Sequence, residues 1–69
     1  MKICKFCEQG EIFEVKTKKT NEIVYLCDEC EALWLSDEFK DEEAVALWLF
    51  MEERNLSSTW DQFIVIKQI

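Results

Sequence analysis

Two short motifs decide the fold of this chain: Cys4-Lys5-Phe6-Cys7 and Cys27-Asp28-Glu29-Cys30. In each motif one tight turn can direct two thiolates at a single metal ion, and 19 residues separate the two motifs. This C-x2-C-x19-C-x2-C spacing is typical of a structural zinc site. The chain contains no histidine, so any such site must use cysteine alone. We therefore predict one structural Zn²⁺ bound by Cys4, Cys7, Cys27 and Cys30, with no open position for a substrate.

Two other uses of four cysteines stay open. A rubredoxin-like iron site for electron transfer has the same ligands, although the spacing and the prevalence of zinc favour zinc. Two disulfides would require an oxidising compartment. No apolar run follows Lys2, so we expect no signal peptide, and no apolar stretch is long enough to span a membrane. The expected location is the cytoplasm, where thiols stay reduced.

The segment between the two motifs predicts a β-hairpin. Residues 11–16 and 22–26 are rich in β-branched and aromatic side chains, which favour strands. Residues 17–21 are polar and favour a turn, in which we expect Asn21 to adopt a positive φ. Gly10, the only glycine, is expected to supply the turn after the first motif. Residues 32–35 are candidates for a third strand.

The remainder of the chain predicts one apolar helix and a C-terminal strand. Asp41 is the expected N-cap, with Glu42 and Glu43 in the first turn. The helix then continues over residues 44–54, and Asn55 ends it. Residues 58–61 resemble a capping box. Residues 63–67 favour a strand buried on both faces, because their apolar residues do not alternate with polar ones. We thus expect a single α+β domain over residues 1–69, with a small zinc ribbon at residues 3–35 and its extension at residues 36–69.

The second motif, followed by Leu33-Trp34-Leu35, resembles the transcription-factor-IIB-type zinc ribbon of small bacterial proteins. Those ribbons typically read C-x-x-C-G-G-x-W-L-D-x-x-E. The resemblance covers residues 4–39 and includes the four cysteines and the Trp34-Leu35 pair. The departures from the pattern are Glu31, Ala32, Ser36 and Phe39. The resemblance implies a ribbon fold with four cysteine ligands; such ribbons are interaction scaffolds with many uses.

Negative charge is concentrated in the second part of the chain. The formal net charge is −7, with +1 over residues 1–26 and −8 over residues 27–69. Eight acids lie among the sixteen residues 28–43. This distribution opposes binding to nucleic acid, where the number of cations sets affinity. It favours a basic protein partner, although acids also serve simply to keep a small domain soluble.

We therefore expect a non-enzymatic protein-binding module with an acidic face, such as an immunity or inhibitor protein that neutralises a basic nuclease toxin. The alternative is a transcription-associated ribbon that contacts polymerase or nucleic acid. A homodimer through the apolar helix is a further expectation. The sequence contains no phosphate-binding loop or nucleophile motif, and no catalytic residue is predicted. The predicted partner-facing residues are Trp34, Asp37, Glu38, Phe39, Glu42 and Glu43.

Overall fold

A five-stranded antiparallel sheet organises the chain in the computed structural model, which describes residues 3–69. The elements are β1 (Ile12–Thr17), β2 (Ile23–Cys27), β3 (Ala32–Trp34), β4 (Val45–Ala46), α1 (Leu47–Glu52) and β5 (Phe63–Gln68). Two single-turn 3-10 helices, Asp41–Glu43 and Trp60–Gln62, lie in the connections. The strand order across the sheet is β4-β3-β2-β1-β5. Of the two strands of the predicted hairpin, β2 is therefore the central strand and β1 lies between it and the edge strand β5.

The central hairpin confirms the prediction for the segment between the cysteine motifs. β1 and β2 pair in register from Ile12 opposite Cys27 to Lys16 opposite Ile23. Asn21 has a φ of 60°, as expected for the turn. Thr17, which is fully buried, accepts the backbone N–H of Glu22 at 2.9 Å with its hydroxyl, so the turn satisfies its only buried polar side chain.

The two faces of the sheet carry separate cores because successive side chains of a strand point to opposite faces. On one face, side chains of the four longer strands pack against α1 through its buried residues Leu47, Phe50 and Met51. On the other face, Trp34 packs with cysteines of both motifs. The first core comprises Val15, Val24, Leu26, Leu33, Leu47, Phe50, Met51 and Phe63, and the second comprises Cys4, Ile12, Cys27 and Trp34.

The helix is shorter than the sequence predicted. It was expected to begin after Asp41 and to continue through residue 54. Instead, Asp41–Glu43 forms a 3-10 turn, Val45–Ala46 forms β4 and pairs with β3, and α1 extends only from Leu47 to Glu52. The open edge of β3 satisfies backbone groups of Val45 and Ala46 that a first helical turn would leave without partners. Asn55, predicted to end the helix, has a φ of 57° in the turn that follows α1. The predicted capping role of the Asp41 side chain lies outside the described side chains.

The C-terminal strand is present, but the prediction that it is buried on both faces is wrong. Phe63 is buried, whereas Ile64, Val65 and Ile66 are 45–50% exposed. β5 pairs with β1 at the edge of the sheet, and of its residues only Phe63 belongs to the core that contains α1.

The capping-box prediction is also wrong in detail. Thr59, not Ser58, precedes the turn at Trp60–Gln62 and makes no side-chain capping bond. Its hydroxyl instead bonds the carboxylate of Asp61. Within residues 3–69, no helix has the length and apolar content that crossing a bilayer requires.

Candidate metal centre

The hairpin brings the two cysteine motifs together at one end of the sheet. Cys27, the last residue of β2, lies opposite Ile12, the first residue of β1. The second motif therefore begins beside the residue at which the chain enters the sheet after the first motif. The first motif is closed by the backbone bond from Cys4 N–H to Gly10 O at 2.9 Å. Glu11 joins the motifs, because its N–H donates to the Asp28 carboxylate at 2.9 Å and its carbonyl accepts the Asp28 N–H at 3.1 Å.

The four cysteine sulfurs form one compact cluster. All four Sγ atoms lie within 4.8 Å of one another. The Sγ atoms of Cys4 and Cys30 are 3.6 Å apart, and those of Cys7 and Cys27 are 3.7 Å apart. A tetrahedral ion with metal–sulfur bonds of about 2.3 Å places its sulfurs about 3.8 Å apart, so these two edges fit one ion. All four cysteines are free thiols, which leaves the disulfide alternative without support.

Backbone amides stabilise negative charge on the sulfurs. Gly10 N–H donates to Cys7 Sγ at 3.3 Å, and Glu29 N–H donates to Cys27 Sγ at 3.4 Å. Amide donation from Gln9 and Gly10 lowers the pKa of Cys7 from 9.0 to about 6. Hydrogen bonds of this kind hold metal-binding thiolates in position and stabilise their negative charge.

Cys27 and Cys30 hold their protons more tightly than Cys7. Desolvation raises the pKa of Cys27. Cys30 is exposed as a residue, but its sulfur lies 3.6 Å from that of buried Cys4, and desolvation raises the pKa of Cys30 to about 12. The Cys7 thiolate therefore forms more easily than those of Cys27 and Cys30, and a bound cation would favour the thiolate form of its ligands.

Gly10 allows the two motifs to approach each other. It is buried, and a Cβ atom at this position would collide with Cys27 Sγ and lie 2.9 Å from Glu29 Cβ. The sequence suggested a glycine needed for a turn, but its φ is not positive. The physical requirement is space beside a cysteine sulfur, and neighbouring residues in the sequence give no sign of it.

The residue after each motif adopts a left-handed conformation. Glu8 has a φ of 56° and Glu31 has a φ of 62°. Each directly follows the second cysteine of its motif, so the two motifs have matching backbone geometry. A non-glycine residue in this region costs about 1–2 kcal/mol. Glu31 occupies a position where the resembling ribbons have glycine, which the sequence showed only as a departure from their pattern.

An aromatic cluster covers the metal side of the sheet. The rings of Phe6 and Trp34 stack with centroids 5.6 Å apart and planes 8° apart. Phe39 meets Trp34 edge-on at 5.5 Å and Tyr25 at 5.4 Å. The buried Nε1 of Trp34 has no hydrogen-bond partner within residues 3–69. The rings of Trp34, Tyr25 and Phe39 share one core with Cys4 and Cys27, and exposed Phe6 covers Trp34 from outside, so the rings connect the cysteine cluster to the loop that contains Phe39.

The chemistry of the donor set fits a metal ion held for structure. Thiolates are soft ligands that select zinc or an iron centre over magnesium or calcium. Four protein ligands fill the coordination of a tetrahedral ion. The sulfur positions suit zinc and iron alike.

The predicted partner-facing residues fall into two groups. Trp34 is 1% exposed, so it cannot present its ring to a partner, because it fills the core beside the cysteines. Phe39 is half-buried against Trp34. The accessible acids are Asp37, Glu38 and Glu42, whereas Glu43 is half-buried and accepts the Ser36 hydroxyl at 2.9 Å.

Three exposed apolar residues were not singled out from the sequence, although the apolar helix as a whole was expected to support a homodimer. Leu35 is 53% exposed, Trp48 is 59% exposed and Leu49 is 40% exposed. Because residues 44–51 are all apolar, no periodicity distinguished the exposed positions of the helix from the buried ones. Leu35 was known only as part of the Trp34-Leu35 pair of the ribbon pattern.

No family model, curated protein or solved structure matches the chain. Over residues 3–69 the structure itself shows a small α+β fold with a five-stranded antiparallel sheet, one short α-helix and a four-cysteine cluster able to hold a metal ion.

Proposed function

We propose that this chain is a non-enzymatic zinc-ribbon module of the transcription-factor-IIB type that binds a basic protein partner in the cytoplasm. The zinc part rests on the four-sulfur cluster and on the spacing of its ligands. Structural zinc contributes about 10–16 kcal/mol of apparent binding free energy at neutral pH. In a domain of 69 residues, whose apolar core alone is marginal, that contribution decides whether the chain folds.

One observation carries the binding part of the proposal: accessible acids adjoin exposed apolar side chains. Leu35 is separated from Asp37 and Glu38 by Ser36 alone, and the side chains of Leu35, Asp37 and Glu38 are exposed. Interfaces combine such apolar anchors with a charged rim. The negative field of a chain with net charge −7 would speed the approach of a basic partner.

A basic nuclease toxin is the partner class that this proposal favours. Such a toxin binds nucleic acid phosphates with cationic side chains, and an acidic protein can occupy the same cationic surface. The chain would then act as an immunity protein that blocks the toxin by binding it. This step rests on charge and size, as an analogy with small acidic inhibitors.

The test is a comparison of two double charge reversals with equal net charge. Asp37→Lys/Glu42→Lys changes the proposed face, and Glu8→Lys/Asp61→Lys changes exposed acids elsewhere. The wild-type chain, used as bait in its native host, should retain a protein of basic isoelectric point. Association with that protein should slow for the first variant, slow less for the second and weaken as salt increases.

The proposal fails if the recovered partner is acidic, or if both variants associate at the wild-type rate. A metal analysis completes the test, because purified protein should contain one zinc per chain. A red iron chromophore would instead favour the electron-carrier alternative.

The transcription-associated alternative has one observation in its favour. Lys18 and Lys19 are exposed at the tip of the hairpin, at the opposite end of β1 from the cysteine motifs. A basic hairpin tip is a suitable contact for a phosphate backbone. The affinity of the chain for duplex DNA distinguishes the two functions.

A further inference from the structure

A shallow groove lies between the loop after β3 and the helix α1. Its cavity volume is about 80 Å³, and it is open to solvent. Small-molecule sites occupy roughly 300–1,000 Å³, so this groove is well below that range. Its size suits one large side chain rather than a cofactor. We call it the α1 groove; it is lined by Leu35, Val45, Leu49, Phe50, Glu53 and Arg54.

The lining of the α1 groove is apolar where it meets solvent. Phe50 is buried at 3% exposure, while Leu35 and Leu49 are 53% and 40% exposed. Trp48, which precedes Leu49 on α1 and does not line the groove, is 59% exposed. Large apolar side chains with this exposure in one region of a small protein mark an interaction surface more often than a solvated one.

The rim of the α1 groove is acidic. The side chain of Glu53 is 69% exposed, and Glu52 beside it is also exposed. Asp37 and Glu38 follow the lining residue Leu35 by two and three positions in the chain, and Glu38 pairs with Lys40 at 3.2 Å. Glu53 lines the groove and the other three acids neighbour lining residues in the chain, a charge pattern that complements an apolar side chain flanked by cations.

Arg54 is a cation of the groove lining, and it is already engaged. Its Nε and Nη2 donate to the two carboxylate oxygens of Glu22 at 2.6 and 2.7 Å. Nη1 donates to Phe50 O at 3.0 Å, and the guanidinium lies 3.7 Å from the centre of the Phe50 ring. Glu53 is a more distant ion-pair partner at 3.7 Å. Because Glu22 already neutralises the charge of Arg54, the acids at the rim of the groove keep a net negative charge.

We infer that the α1 groove binds one large apolar side chain of a basic partner protein, with lysine or arginine residues on either side of it facing the rim acids. This inference rests on the proposed function and names the feature of the partner that is recognised. A second copy of this chain fits less well, because it would bring the same acidic rim against this one.

Two synthetic peptides test the inference without knowledge of the natural partner. Both are lysine-rich and equally charged, and one contains a single phenylalanine where the other contains serine. The metal-loaded protein should bind the phenylalanine peptide about tenfold more tightly, as expected for partial burial of one aromatic side chain. In nuclear magnetic resonance titrations, only that peptide should shift the methyl signals of Leu35 and Leu49.

A matched pair of variants locates the site. Leu49→Ala removes an exposed groove residue and should abolish the preference for phenylalanine. Ile23→Ala, on β2, removes an equally exposed residue outside the groove lining and should keep the preference, since the exposures are 40% and 41%. If Leu49→Ala fails to fold by circular dichroism, Leu35→Ala, at a position 53% exposed, serves in its place.

Each result separates the inference from the proposed function. Equal affinity for the two peptides overturns the groove inference and leaves the acidic-face proposal standing. Loss of binding for both peptides overturns the proposed function and the inference together. A dimer in analytical ultracentrifugation that dissociates on Leu49→Ala also overturns the inference, because the groove would then hold a second copy of this chain.

Discussion

Glu31 holds a backbone conformation that a glutamate resists, directly after the fourth cysteine. Its φ is 62°, and its side chain is exposed, so nothing in its packing requires a glutamate. We expect Glu31→Gly to stabilise the metal-loaded protein by about 0.5–1 kcal/mol, because relief of strain exceeds the entropy that glycine loses on folding. Chemical denaturation followed by circular dichroism measures the difference.

Glu29→Gly is the control for this prediction. Glu29 is also an exposed glutamate of the second motif, but its φ is not positive. Glycine there should destabilise the protein by up to about 1 kcal/mol, since only the entropic cost remains. Equal effects of the two substitutions would show that the left-handed conformation at Glu31 has no energetic consequence.

The clustering of the four cysteines could be predicted, because each Cys-x-x-Cys motif is a local feature of the sequence. The role of Gly10 could not, since it depends on the sulfur of Cys27, 17 positions away, and on the hairpin that brings the two together. Trp34 shows the same limit. An aromatic residue among acids suggested an exposed anchor, but the ring is buried against the cysteines because it lies opposite Tyr25 on the metal side of the sheet.

The elements of the fold are joined by the ion pair between Glu22 and Arg54. Glu22 belongs to the hairpin turn and Arg54 follows α1, so this pair connects the two parts of the chain. Hydrogen bonds from Arg54 first, and then from Thr20, lower the pKa of Glu22 from 4.5 to about 2. A carboxylate with a depressed pKa stabilises the folded state above its unfolded pKa and loses that effect as the pH falls towards its folded pKa.

We therefore expect Glu22→Gln to destabilise the protein at pH 7 by about 1 kcal/mol, a value that allows for solvent screening at a side chain 38% exposed. The difference from wild type should be constant from pH 7 to about 5 and shrink below pH 4.5 as wild-type Glu22 loses the advantage of its low pKa. Chemical denaturation of both proteins across this pH range gives the difference in their free energies of unfolding. Any contribution of the cysteine cluster is the same in both proteins and cancels in that difference.

Glu53→Gln supplies the comparison for the Glu22 prediction. The Glu53 side chain is 69% exposed and lies 3.7 Å from Arg54, so its removal should have little effect at any pH. A Glu22→Gln variant as stable as Glu53→Gln would contradict a connecting role for the pair.

The central hairpin was predictable from sequence, whereas the boundaries of the helix were not. β-branched residues and a polar turn identify β1 and β2 locally. Val45 and Ala46 have no such signal, and their backbone is extended because the edge of β3 is available to pair with them. Similarly, the residues of β5 predict a strand, but its exposed side chains follow from its place at the edge of the sheet.

At the scale of the whole molecule, folding is expected to depend on the metal. The sulfur cluster and the Phe6–Trp34–Phe39 ring contacts form one side of the sheet. Removing the ion with a chelator, or replacing Cys27 with serine, should abolish cooperative unfolding, because the binding free energy of a structural metal is part of the folding free energy of so small a domain. A Trp48→Phe/Trp60→Phe variant leaves Trp34 as the fluorescent residue, and its emission should shift to the red when the metal is removed.

Replacing exposed Ser57 with alanine is the control for the metal prediction and should leave metal content and emission unchanged. Retention of the blue Trp34 emission after complete metal removal would contradict the prediction. The aromatic core would then be stable by itself, and the cluster would have a role other than folding.

The charge of the whole molecule leads to the last prediction, which concerns nucleic acid. The net charge is −7, and binding of Zn²⁺ by four thiolates leaves a further local charge of about −2 at the site. The exposed lysines of the hairpin tip, Lys18 and Lys19, are too few to offset this repulsion, since affinity for a phosphate backbone increases with the number of cations that contact it. We therefore expect no submicromolar binding to duplex DNA at physiological salt in a fluorescence anisotropy titration, and no change on Lys18→Glu/Lys19→Glu. Submicromolar binding that this double variant abolishes would mean that the hairpin tip is the working surface, and the transcription-associated function would then replace the basic-partner proposal.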